Sequence, residues 1–143
     1  MDKKTYKKLV DKKTPSSKIV KNSIKAFLFG GVICTVGQFF RNVYQKFGLS
    51  DELVGSAVSV TMIFIGVLLT GLNIYPKLAK HAGAGTIVPI TGFANSVASP
   101  AIEARSEGFI MGVGAKIFTI AGPVIAYGIM ASLIAGLYFW IFS

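Results

Sequence analysis

At 143 residues, with 52% hydrophobic and 15% charged residues and a mean hydropathy of +0.63, the chain carries more apolar material than one soluble domain of this size can hide. Its net charge of +9 is concentrated at one end, because nine lysines precede Ala26 against only Asp2 and Asp11, so the first 25 residues hold +7 of it. A single cysteine, Cys34, excludes an intramolecular disulfide and a cysteine-based metal cluster; without a nucleophile–base pair or paired metal ligands, the pattern points away from an enzyme, a metal centre or a cofactor site.

The expected architecture is all-α: a polytopic membrane helical bundle of about four membrane segments, one of them broken or re-entrant. Residues 1–23 form a basic tail and residues 24–143 the helical domain. In the tail, Tyr6, Leu9 and Val10 fall at i, i+3, i+4 and suit a short amphipathic helix on the membrane surface, which Pro15 then interrupts. Ser16 and Ser17 are candidate caps for the next helix. Lys3, Lys4, Lys7, Lys8, Lys18, Lys21 and Lys25 are expected to meet anionic lipid headgroups, and the tail runs straight into an apolar stretch, which argues against nucleic acid as its partner.

The first span is expected at 24–40, retained and not cleaved as a signal peptide, with Cys34 inside it as a small buried hydrophobe. A short polar loop or helix extension at 41–52 follows, its charges cancelling. Residues 53–75 then run uncharged for 23 residues, long enough to cross a bilayer. Pro76, Lys77, Lys80 and His81 mark the next polar break; the lysines there and in the tail place both on the cytoplasmic side, with His81 a solvated interfacial histidine.

The segment 84–102 is apolar but atypical. It carries Gly85, Thr86, Pro89, Thr91, Gly92, Asn95, Ser96, Ser99 and Pro100 where an ordinary span would carry Leu and Ile, and Gly83 sits just before it. Glycine and proline at this density break a helix, and such backbone is tolerated at membrane depth only where protein or water satisfies it. After a charged turn at 103–107, the reading places a short glycine-rich helix at 108–122, interrupted by Lys116, and a final span at 123–142 that ends in the aromatic cluster Tyr138, Phe139 and Trp140. Small residues at four-residue spacing, Gly108 with Gly112 and Gly128 with Ser132 and Gly136, are candidates for close helix packing, either within the chain or with further subunits, including copies of itself.

Three stretches carry a family resemblance: 25–38 (KAFLFGGVICTVGQ), 82–97 (AGAGTIVPITGFANSV) and 101–109 (AIEARSEGF). Together they resemble the SpoVAC/SpoVAEB family of stage V sporulation proteins of spore-forming Firmicutes, over nearly the whole chain, and the basic tail with the GFANSV wording favours its AC branch. The resemblance implies a multi-pass subunit of the spore inner-membrane complex, working with other stage V sporulation protein A subunits. That complex moves dipicolinic acid, with calcium, into the forespore and out again at germination; it further implies behaviour like a mechanosensitive channel.

For the small aromatic dianion that the resemblance implies, a path needs fixed donors and positive potential. Gly83, Gly85, Thr86, Pro89, Thr91, Asn95 and Ser96, with the ionisable Glu103 and Lys116, are the candidate lining groups. The competing reading is a structural subunit whose partners hold the path. A secondary-transporter half ranks last, because the two halves of the chain show no convincing internal similarity.

Overall fold

The computed structural model describes residues 3–13 and 18–142, and among these the chain is all-α. The helices are α1 (Lys3–Lys13), α2 (Ile19–Lys46), α3 (Asp51–Gly71), α4 (Tyr75–Ala82), α5 (Pro89–Glu103) and α6 (Ala115–Phe142). Two 3-10 turns, Gly83–Thr86 and Ala104–Glu107, flank α5, and a π-helical stretch, Phe109–Gly114, leads directly into α6. Three helices are long and apolar enough to cross a membrane: Ile19–Lys46, Asp51–Gly71 and the continuous run Phe109–Phe142. At 15 residues α5 is about 22 Å long, short of a ~30 Å hydrocarbon core, which fits the expectation that one of the membrane segments is broken. Pro15, Ser16 and Ser17 lie outside the described residues.

Several boundaries differ from those read in the sequence. The first span does not stop near Arg41, because nothing in residues 41–46 opposes a helix once it has formed; α2 runs to Lys46 and is closed by Gly48 at φ 79°. The N–H of Gly48 bonds to Gln45 O and that of Leu49 to Tyr44 O, the paired bonds of a Schellman end. The second span ends at Gly71 instead of Tyr75, with Asn73 at φ 56° in the equivalent position and Ile74 N–H bonded to Leu69 O. Residues 76–81, read as a polar break, are helical within α4, with Pro76 in its first turn, where a missing N–H costs nothing.

Beyond Gly108, the segments expected at 108–122 and 123–142 join into one helical run, Phe109–Phe142, with Pro123 inside it. In water an interior proline ends a helix; in lipid an unpaired backbone is costlier still, so the helix continues past it.

The protein interior is small. Val54, Met62, Tyr75, Ala82, Ala94, Ala101 and Ala104 are the buried apolar residues, while α2 and α6 bury none. Cys34 is one casualty of this: it is exposed on α2 and not buried, because lipid can solvate a thiol-bearing apolar face that water would force inward. Helix pairing is led by α3 with α5, then by α2 with the Gly83–Thr86 turn. Between α2 and α3, Thr61 gives its proton to Ala57 O at 2.9 Å, so the 2.6 Å contact with Tyr44 has the tyrosine hydroxyl as donor.

Candidate functional site: a broken helix beside an uncharged polar cluster

The break that the glycines and prolines signalled lies at residues 83–88. Gly83 ends α4 at φ 56°, and a Cβ there would meet open space, so its glycine serves the backbone angle alone. Gly85 serves a different purpose. A Cβ on it would stand 2.6 Å from Ala26 O and 2.9 Å from Ala26 Cα, so the turn lies backbone to backbone against α2. Pro89 then opens α5 at a position where its fixed φ suits the first helical turn.

The turn is held from the other side by Tyr75. This buried hydroxyl donates to Thr86 O at 2.7 Å, while the Thr86 side chain reaches back to Gly83 O at 3.1 Å. Nothing in the local pattern marks Tyr75 for this task, since it read as the last residue of a span. From Thr86 the chain passes to α5, whose Gly92 would bring a Cβ to 3.0 Å from Thr86 O.

α5 meets α3 through small residues. A Cβ on Gly66 would lie 3.2 Å from Ala94 Cβ and 3.3 Å from Thr91 O. One turn further, the Thr70 hydroxyl reaches Gly66 O at 2.7 Å and Asn95 Oδ1 at 2.9 Å, sharing its one proton between the two acceptors. Gly66 and Thr70 stand at four-residue spacing, the same signal that singled out other pairs, and it would have found this one.

The result is a group of uncharged polar side chains, Thr70, Tyr75, Thr86, Thr91 and Asn95, inside an otherwise apolar bundle. All but one are hydrogen-bonded within the protein. Thr91, only 5% exposed, has an Oγ1 with no hydrogen-bond partner among the described residues, a state that costs about 1–3 kcal/mol when nothing satisfies it.

Other expected site residues stand apart. Ser96 bonds to Phe93 O at 2.8 Å on its own helix. Glu103 at the end of α5 and Lys116 in the first turn of α6 are both exposed and not directed into the bundle interior. Of the expected packing glycines, Gly108 is a turn residue at φ 98°, and Gly112 presses on Ala104 O and Glu107 within the same local fold. Gly128 and Gly136 face open space and Ser132 is exposed, so that stripe makes no packing contact inside the chain. In the basic segments, Lys3, Lys7, Lys18, Lys21 and Lys25 are exposed. The side chains of Lys4 and Lys8 lie outside what the structure describes.

Three spanning helices and a broken segment clamped against the first of them define a polytopic all-α membrane protein. The chain belongs to the SpoVAC/SpoVAEB sporulation membrane protein family, which matches residues 22–138. It is 44% identical over 136 residues to stage V sporulation protein AC of Bacillus subtilis strain 168, an alignment covering 94% of this chain and 91% of that protein. No solved structure matches the chain.

Proposed function

We propose that this chain is a membrane subunit of the spore inner-membrane complex that moves dipicolinic acid, with calcium, into the forespore and out at germination, alongside other stage V sporulation protein A subunits. Membership of a sporulation membrane family supports the setting. The observation that carries the permeation role is the helix break at residues 83–88 beside the polar cluster, with the buried Thr91 hydroxyl left unpaired. Hydroxyl and amide groups, which can donate to a carboxylate, line such a path at far lower desolvation cost than fixed charges would.

A specific observation favours the second reading, a structural subunit: Thr70, Tyr75, Thr86 and Asn95 are all engaged in holding helices together. Two variants separate the readings. Asn95→Leu removes both the clasp to Thr70 and the free amide, whereas Thr70→Val removes the clasp alone. On the channel reading, Asn95→Leu lowers dipicolinate accumulation in spores and Thr70→Val leaves it near the parent level. An equal loss in the two, with normal insertion of both, would assign the effect to the clasp and favour the structural role, and normal accumulation in both would remove the cluster from the path. Currents and selectivity of the purified protein in planar bilayers, with and without dipicolinate, give the direct measurement.

A further inference from the structure

Along one side of the bundle, α3, α5 and the start of the final helical run enclose an open groove of about 530 Å³. Its walls are Val67 of α3, Phe93, Val97 and Ile102 of α5, and Phe109 and Ile117 beyond the charged turn. Phe93, Ile102 and Phe109 remain exposed after the chain has packed, so the groove is unfilled by the protein itself.

One charged residue lines it: Arg105, from the 3-10 turn Ala104–Glu107. Glu103 and Glu107 stand on either side in sequence but do not line the groove. Among the described residues, the Arg105 side chain has no hydrogen-bond or ion-pair partner. A long apolar trough with a single unpaired guanidinium is the complement of an amphiphile with one anionic end.

Three kinds of occupant can be weighed on size and charge. A helix from another subunit is ~10 Å across, so a groove of about 530 Å³ would seat little more than one of its turns. A small aromatic dianion would have two carboxylates to satisfy and would meet one guanidinium among hydrocarbon walls, leaving charge desolvated and unpaired. A phospholipid leaves neither debt, since one of its two acyl chains covers the apolar wall, the other stays in the bilayer, and its phosphate takes the bidentate fork of Arg105.

We propose that this groove is a site for one anionic bilayer phospholipid, with one of its two acyl chains along Phe93, Val97 and Ile117 and its phosphate on Arg105. The site is separate from the lysine-rich tail and from the polar cluster, and it stands whichever role the cluster has.

The test uses the full-length protein in bilayers, with phosphatidylglycerol or phosphatidylcholine carrying a photoactivatable diazirine in otherwise identical acyl chains; peptide mapping keeps tail-bound lipid apart. Both lipids offer a phosphate, but the trimethylammonium of phosphatidylcholine repels the guanidinium and offsets its attraction to the phosphate, so labelling within 93–102 and 109–121 should favour phosphatidylglycerol by about tenfold. Arg105→Gln should bring the two lipids level, Arg105→Lys should restore part of the preference, and Ala98→Trp, which fills the groove wall, should abolish labelling there by both. An unchanged lipid ratio in Arg105→Gln overturns the proposal. So does labelling spread evenly over the outer faces of α2 and α6, or full competition by inorganic phosphate or dipicolinate at the lipid's own concentration. A shift from dimer to monomer in Ala98→Trp would assign the groove to a second copy of the chain instead.

Discussion

Replacing Gly85 by alanine adds a methyl group where the backbone of α2 already stands. The new Cβ would lie 2.6 Å from Ala26 O, and ordinary contact begins near 3.4 Å, so the turn must retreat by about 0.8 Å. No side-chain rotation can relieve this, because the obstructing atoms are main chain within a 28-residue helix. Overpacking of this kind costs about 2 kcal/mol. Two neighbouring glycines supply the comparison. Gly30→Ala puts a Cβ at 3.5 Å from Gly85 O, an ordinary contact, and gains about 1 kcal/mol of helix propensity, so it should be neutral or stabilising. Gly83→Ala meets open space but must hold φ at 56° with ψ at −128°, a conformation open almost only to glycine, costing about 1–3 kcal/mol. Equilibrium unfolding of the purified protein in mixed micelles, followed by helical circular dichroism, should therefore place Gly30→Ala above both Gly83→Ala and Gly85→Ala in stability. If Gly85→Ala proves as stable as Gly30→Ala, the turn does not rest on Ala26 and the packing argument fails.

Tyr75→Phe should lose about 1–2 kcal/mol in the same assay, since it leaves the Thr86 carbonyl unpaired; a change under about 0.5 kcal/mol would mean that this bond does not hold the turn. In a Cys34→Ser background, cysteines placed at Lys3 and at Lys77 should react with an impermeant thiol reagent from the cytoplasmic side and a cysteine at Lys46 from the other; finding Lys3 and Lys46 on one side would refute the orientation. Replacing Lys3, Lys4, Lys7 and Lys8 by Gln should weaken binding of a 1–23 peptide to anionic vesicles by about 1 kcal/mol per lysine near the surface, and unchanged binding at low salt would count against a lipid-facing tail. Gly85→Val, which enlarges the same clash, should insert normally and reduce dipicolinate accumulation in spores.

The membrane character, the all-α class and the break at Gly83 to Pro89 were all legible in the linear sequence. Hydropathy is additive along a segment, and the φ demands of glycine and proline act on their own residue and its immediate neighbours, so each can be read locally. The family was legible too, through three motifs. Helix ends were less so: an Asn73 at positive φ closes α3, and Pro123 fails to close the last helix, because lipid makes an open backbone costlier than a strained one. What only the tertiary structure decided is which surfaces meet. Gly85 read as a helix breaker and is also a contact point with Ala26, 59 positions earlier; Asn95 read as a polar residue without a partner and its Oδ1 accepts from Thr70; Glu103 and Lys116 read as charges nearest the interior and are exposed. In a soluble protein the apolar face of a helix announces its partner side, but in lipid every face is apolar and hydropathy is silent about direction. Close approach there depends on which small residues coincide between helices distant in sequence, and that coincidence exists only once the chain has folded.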